Sequence, residues 1–323
     1  MTLEDTFHRQ RDAAYDRDLQ AEAKWWNEHE SNLLAMDAEP SVQRYQNERL
    51  SGQPERMWYE TISDNRGVRQ GCILGAGPGK LETHLLQQNP NLRLTIYDIA
   101  EDTLRRLVEN LPEELKQRVE TRREDLNFVE LHAGVYDLVV AQSCIHHIVN
   151  LEHLAYQVNL SLTPTGKFFM YDVVSESYFQ FEEKKKRLFE LLITATGDQR
   201  TVPEPMNWPD RSNWTLSPFE SVRSGDILDV FGRYLEEESV RTAFSLVGLM
   251  ITIGVLQKRG NRLSRAVQGV LNKALDVVAG RGRIVRGMAS GDLLFEIDSL
   301  CCDTGYLKPG LAFGVYRKRS TAP

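Results

Sequence analysis

The feature that most constrains this chain is the run Gly75-Ala76-Gly77-Pro78-Gly79. It lies between a short apolar stretch at 72–74 and a segment, 80–88, in which Leu81, Leu85 and Leu86 recur at helical spacing. Glycines at a strand-to-helix turn permit backbone angles closed to other residues and let a ligand come close to the main chain. A dinucleotide loop of the form G-x-G-x-x-G would need a glycine at position 80, where this chain has Lys80; the spacing here is G-x-G-x-G.

The strand-to-helix rhythm continues downstream. Residues 92–97 alternate as a strand and end at Asp98; 102–111 read as a helix; 119–122 are a short strand followed by Glu124-Asp125. Residues 136–141 form a strand with an apolar centre, 150–162 a helix, 163–166 (TPTG) a turn by composition, and 167–174 another strand. Such alternation predicts a doubly wound α/β fold: a mostly parallel sheet with helices on both faces and right-handed crossovers. With a sixth strand near 231–240 and a last one at 311–317, the sheet is expected to have seven strands.

Four regions follow from this reading: an N-terminal helical cap or lid (1–66), a Rossmann-like core (67–175), a helical insertion or substrate lid (176–310), and a last strand with tail (311–323). In the cap, 3–30 reads as a charged helix bearing Trp25 and Trp26, and 41–64 as helical with Pro54 at a helix start, carrying Trp58 and Tyr59. The insertion holds an amphipathic Lys-rich helix at 178–196 and a loop at 201–218 with four prolines and two tryptophans. A short helix at 226–231, helices at 244–257, 261–278 and 291–304, and a basic loop at 280–287 complete it.

Bulk properties narrow the function classes. The 323-residue chain has a net charge of −7, so no global attraction to nucleic acid or anionic membrane is expected. Its longest apolar run, 244–256, is too short to span a bilayer. The N-terminus is polar, so no secretory signal is expected. The four cysteines (Cys72, Cys144, Cys301, Cys302) lack zinc-ligand spacing, which predicts no metal site and a reduced, cytoplasmic chain.

Two carboxylates flank the glycine loop in the expected topology. Asp98, at a strand end 23 residues after Gly75, can accept two hydrogen bonds from a ribose diol, or serve as a helix N-cap. Asp125, past the next strand, can accept from an adenine amine, or stand as a solvated loop acid among Arg122, Arg123 and Glu124.

With these residues in place, 71–174 resembles the core of class I S-adenosylmethionine (SAM) dependent methyltransferases. The matching motifs are ILGAGPG (73–79), IYD (96–98), EDL (124–126), YDLVVAQSCIHHI (136–148) and LTPTGKFFMYD (162–172). The resemblance implies that Gly75, Ala76, Gly77 and Gly79 hold the methionine portion of SAM. It implies that Asp98, with Ile99, binds the ribose and Asp125, with Leu126, the adenine. Gln142 and Ser143 would line the methyl-donor pocket. One departure stands out: the family often has an acid two places before the first glycine, and here that position is Ile73.

Methyl transfer from a sulfonium needs an aligned nucleophile, a route for the departing proton and exclusion of water. His146 is chosen as base or substrate contact, because the corresponding position faces the pocket in related enzymes and a near-neutral imidazole suits a base. Adjacent turn residues point to different sides, so at most one of His146 and His147 is expected to face the pocket; the alternative is that His146 only hydrogen-bonds the loop while His147 packs behind the sheet. Asp172 and Tyr171, at the next strand end, are the other candidates, with Asp172 able to pair with His146. The stretch SPFESVRSGDIL (217–228) resembles an insertion in methyltransferases of sugar and natural-product pathways.

The expected activity is therefore methylation of O, N or C of a small metabolite, with S-adenosylhomocysteine as product. The competing readings are an NAD(P)-dependent oxidoreductase, disfavoured by Lys80, and a non-catalytic SAM-binding or assembly protein. The expected partner is a small-molecule substrate, with neither nucleic acid nor membrane. A homo-oligomer stays open, because the helices at 3–30 and 244–278 show no clearly patterned face.

Overall fold

The computed structural model describes residues 12–28, 40–65, 67–196, 208, 217–248 and 290–320. A seven-stranded sheet runs through them in the order β3-β2-β1-β4-β5-β7-β6. The strands are β1 (Gln70–Leu74), β2 (Arg93–Asp98), β3 (Val119–Arg123), β4 (Tyr136–Gln142), β5 (Leu162–Val173), β6 (Glu236–Ala243) and β7 (Leu311–Arg317). Neighbours from β3 through β5 pair parallel, while β7 runs antiparallel between β5 and β6.

The central strands are continuous apolar runs because both of their faces are covered. Successive residues supply opposite cores. Ile73, Ile96, Val140 and Phe169 pack with Leu85, Leu86, Leu104 and Leu107 of α3 (Lys80–Gln88) and α4 (Glu101–Asn110). Cys72, Leu74, Val139 and Phe168 pack with α6 (Leu151–Ser161) and α8 (Ile227–Tyr234) on the other face. The edge strands β3 (VETRR) and β6 (EEESVRTA) are charged and mostly exposed, which keeps their unpaired edges from recruiting another strand. A single turn at Glu113–Lys116 (α5) leads into β3.

The chain leaves β1 toward β2 and β3 on one side and resumes with β4 on the other. A crevice therefore opens at the carboxyl ends of β1 and β4, the position where doubly wound sheets bind ligands.

Several sequence expectations shift. The sixth strand is β6, not 231–240: Ile227, Val230, Phe231 and Tyr234 are buried at helical spacing, so the apolar signal up to Tyr234 belongs to α8. The TPTG segment at 163–166 is not a turn but continues β5, with a register shift opposite Tyr136. A Cβ at Gly166 would stand 2.6 Å from the Tyr136 carbonyl, so glycine lets the two strands close up there. Pro54 starts no helix; α2 is Pro40–Ser51, and a 3-10 helix spans Trp58–Asp64.

α1 is Ala13–Glu28, begun by Asp12, whose Oδ1 accepts from the amides of Ala14 (3.0 Å) and Tyr15 (2.8 Å). α7 is Glu183–Thr196 and α9 is Ser290–Asp303. Among the described residues no helix is long and apolar enough to cross a membrane. The helix expected at 261–278 and the basic loop at 280–287 lie outside the described residues, as do most of 201–218 and 244–257.

Candidate active site

The glycine loop begins where β1 ends. Gly75 has φ +80°, and a Cβ there would meet the Cys144 Cβ at 2.6 Å; only glycine satisfies both constraints. A Cβ on Gly77 would meet nothing within 4 Å, so that face of the loop opens on free space. Gly79, at φ +92°, starts α3.

Asp98 ties the loop to the end of β2. Its Oδ2 accepts from the Ala76 amide and its Oδ1 from the Ala100 amide, each at 2.7 Å. It therefore caps the turn before α4 and steadies the glycine loop with one side chain. Burial pushes its pKa up to about 6, against the bonds from Ala76 and Ala100 and the nearby His147. Each carboxylate oxygen keeps a second lone pair for a ligand hydroxyl.

Asp125 is more committed than a free loop acid. Its Oδ2 accepts the Tyr15 hydroxyl at 2.7 Å, and its Oδ1 accepts from Asn127 N (3.0 Å) and Nδ2 (3.1 Å). Leu126 is buried, Ile99 is partly exposed, and Gln142 is exposed at the end of β4. Ser143 has φ +50° and donates its amide to the Tyr171 carbonyl at 2.7 Å. A left-handed non-glycine residue at this strand end stores strain where the chain turns into the site. A glycine cradle with an open face, next to an acid held by two backbone amides, fits SAM.

Beyond Ser143 lies a buried cluster of imidazoles and carboxylates. Asp172, fully buried, accepts at Oδ2 from the amides of Cys144 (3.0 Å) and Ile145 (2.7 Å), and at Oδ1 from the Val173 amide (2.8 Å). Its Oδ1 also lies 2.5 Å from His146 Nδ1. The opposite nitrogen, His146 Nε2, lies 3.5 Å from Glu220 Oε1.

His147 does not pack behind the sheet, and the two histidines do not separate as alternation suggested. The 3-10 turn at Ile145–His147 brings the two rings to 4.1 Å between centroids. His147 Nε2 is 3.8 Å from Glu220 Oε2, and its Nδ1 is 3.0 Å from Glu22 Oε1. Trp26 meets His147 edge-on at 5.2 Å.

Burial pushes the His146 pKa down, but the charges of Asp172 and Glu220 and their hydrogen bonds outweigh it and lift the group to about 10. His146 is thus not a near-neutral base on its own in this arrangement. Glu220 and Glu22 are held below their ordinary carboxylate range: burial opposes this, and the two histidines for Glu220, and His147 for Glu22, overcome it.

Tyr171 plays a different part from its neighbour. Its ring is buried and stacks on Trp58 at 4.6 Å and 7°, in the core on the α3 side, while Asp172 reaches the histidines. Strand alternation separates the two side chains.

Two residues of the cluster escaped sequence reasoning. Glu220 comes from the 217–228 stretch, whose FES carries no motif of its own. Arg223 anchors that stretch to α6 through two bonds to Glu152, at 2.7 and 2.8 Å, and the Val222 amide donates to the His146 carbonyl at 3.1 Å. Glu22 comes from a helix whose pattern reads as solvated, yet it is buried and accepts from Trp26 Nε1 (2.8 Å) and the Phe219 amide (2.9 Å).

α1 covers this cluster through Glu22 and Trp26, which meet His147. Arg106 of α4 donates to the carbonyls of Asn27 (2.8 Å) and Trp26 (3.1 Å), while Tyr15 packs on Phe219 and Phe128.

Comparison with known families agrees with this geometry. Residues 73–168, about a third of the chain, match a family model described as a methyltransferase domain. The chain has the fold of class I methyltransferases. Geranyl diphosphate C-methyltransferase from Streptomyces coelicolor A3(2), solved with Mg2+, geranyl diphosphate and S-adenosylhomocysteine, is similar in fold. It shares 10% identity at a TM-score of 0.50, covering 95% of this chain and 100% of that one. An S-adenosylmethionine dependent methyltransferase from Mesorhizobium loti shares 14% identity at a TM-score of 0.43, covering 80% of this chain and 96% of that one. No curated protein matches the chain in sequence.

Proposed function

We propose that this methyltransferase moves the methyl group of SAM to a small metabolite, an EC 2.1.1 activity exercised in the cytoplasm. The observation that carries the reading is the contact between Gly75 and Cys144. It seats the glycine loop against a residue two positions before His146, so the donor cradle and the buried cluster face one crevice.

SAM supplies an electrophilic methyl: an acceptor lone pair forms the new bond to carbon, and the carbon–sulfur pair returns to sulfur as a neutral thioether. Gly75, Ala76, Gly77 and Gly79 cradle the donor's methionine end. Asp98 and Ile99 bind its ribose, Asp125 and Leu126 face its adenine, and Gln142 and Ser143 line the rest. Asp172 orients His146, and His146 with Glu220 positions the acceptor and its departing proton. Glu22, Trp26 and the 217–224 segment exclude water.

A small acceptor is favoured because His146, His147 and Glu220 are each at most 8% exposed, which leaves no surface for a macromolecule. Four free cysteines without a disulfide suit a reducing compartment.

The test is isothermal titration with S-adenosylhomocysteine, with NAD+ and NADP+ as controls, followed by transfer of labelled methyl from SAM into a panel of small acceptors. Micromolar binding of the thioether, about −8 kcal/mol, weakened at least tenfold by Asp98→Asn, supports the reading. Binding of a nicotinamide nucleotide alone overturns it.

A further inference from the structure

We propose that His146, His147 and Glu220 form a binding site for one divalent first-row transition-metal ion of the zinc or iron(II) class. Two imidazoles and a carboxylate offer donor atoms that all lie within 4.8 Å of one another. The spacing is that of ligands around an ion. Donors about 2.0–2.1 Å from a tetrahedral centre stand about 3.3 Å apart. Glu220 lies 3.5 Å from His146 Nε2 and 3.8 Å from His147 Nε2, long for direct hydrogen bonds and close to that edge.

A second observation is independent of spacing. His147 is buried, and among the described residues its Nε2 has no hydrogen-bond partner. A buried ring nitrogen left unpaired is costly, and a metal ion would satisfy it.

A third concerns the far sides of the rings. Metal-ligating histidines almost always engage a carboxylate or carbonyl through the nitrogen that does not bind the ion. Both do so here: His146 Nδ1 on Asp172 at 2.5 Å and His147 Nδ1 on Glu22 at 3.0 Å. Asp172 is in turn fixed by the Cys144 and Ile145 amides, and Glu22 by Trp26 Nε1 and the Phe219 amide. Both Nε2 atoms are thereby aimed at Glu220.

Two imidazoles with one carboxylate suit zinc or iron(II), whereas magnesium prefers an all-oxygen shell. Three protein ligands leave coordination positions that the chain does not fill. The inference departs from the expectation of no metal, which rested on cysteine spacing and could not see Glu220 reach two adjacent histidines.

The experiment titrates the full chain, freed of metal by chelation and dialysis, with Co2+ followed by visible absorption and with Zn2+ followed by calorimetry. Mg2+ serves as the oxygen-preferring control. The expected result is one Co2+ per chain with ligand-field bands, displaced by Zn2+ and not by Mg2+. Glu220→Gln and His147→Gln should each weaken binding at least tenfold, and Glu22→Gln by about 10–100-fold through loss of the outer partner. S-adenosylhomocysteine binding, measured on every variant, reports that the fold is kept. If a ligand variant does not fold, Glu22→Gln supplies the comparison.

Absence of ligand-field bands overturns the site, as does binding that the variants leave unchanged or a thiolate charge-transfer band placing the ion on cysteines. Loss of the metal with retained S-adenosylhomocysteine binding would leave the methyltransferase reading standing. The converse would leave the metal site standing.

Discussion

The hydroxyl of Tyr15 donates to Asp125 across 110 residues of sequence, at 2.7 Å, and so ties the roof helix α1 to the loop after β3. Tyr15 is fully buried and packs on Phe128 and Phe219, so the bond sits where strands and roof meet. A buried hydrogen bond to a charged group contributes about 1.5–3 kcal/mol. Tyr15→Phe should lower stability by that order. Hydrogen exchange should speed up in the amides of α1 while those of β4 stay protected; equal acceleration in both would refute a local role.

Gly75→Ala should disable the proposed donor cradle. A left-handed non-glycine residue costs about 1–2 kcal/mol, and the new Cβ would also collide with Cys144. We expect S-adenosylhomocysteine affinity to fall by more than tenfold and the melting temperature to drop. An unchanged calorimetric titration would mean the loop can move away at no cost.

Glu82 offers a pH signature remote from the histidines. It is buried, its Oε2 has no hydrogen-bond partner among the described residues, and burial pushes its pKa up to about 7 from an ordinary 4.5. A raised folded-state pKa means that the folded protein binds this proton more tightly than the unfolded chain. Its stabilising contribution is therefore full below 4.5, declines as pH rises, and is lost above about 7. Denaturation of wild type and Glu82→Gln across pH 5 to 8 should show the variant gaining stability relative to wild type, by an amount on the order of 2–3 kcal/mol. A pH-independent difference would show that Glu82 ionises freely in the folded state.

His146→Ala should separate chemistry from donor binding. Proton management by a positioned side chain contributes about 10²–10⁴-fold, so single-turnover methyl transfer should slow by that order while S-adenosylhomocysteine affinity changes only a few-fold. Asp172→Asn should slow transfer in the same direction, since an amide cannot accept equally from Cys144, Ile145 and His146. Normal turnover in His146→Ala would remove the residue from the reaction.

Local signals determined much of this protein. Residues close in sequence with a fixed period or a special backbone need are legible one segment at a time: the Gly75–Gly79 turn, the apolar strands ending at Leu74, Asp98 and Gln142, and the helical spacing of Leu81, Leu85 and Leu86. They set the parallel α/β core and the glycine loop.

Where local cues conflicted with packing, they misled. The TPTG segment is strand because its neighbour β4 supplies the pairing, and Phe231 is helical because α8 must bury its apolar stripe against the sheet. Only the tertiary structure decided the cluster. Glu22, His146, His147, Asp172 and Glu220 span almost two hundred residues, and nothing in the spacing of FES or of α1 distinguishes a buried carboxylate from a solvated one. The long-range docking of α1 and of the 217–224 segment removes those groups from water, and in that low dielectric setting their charges act strongly on one another.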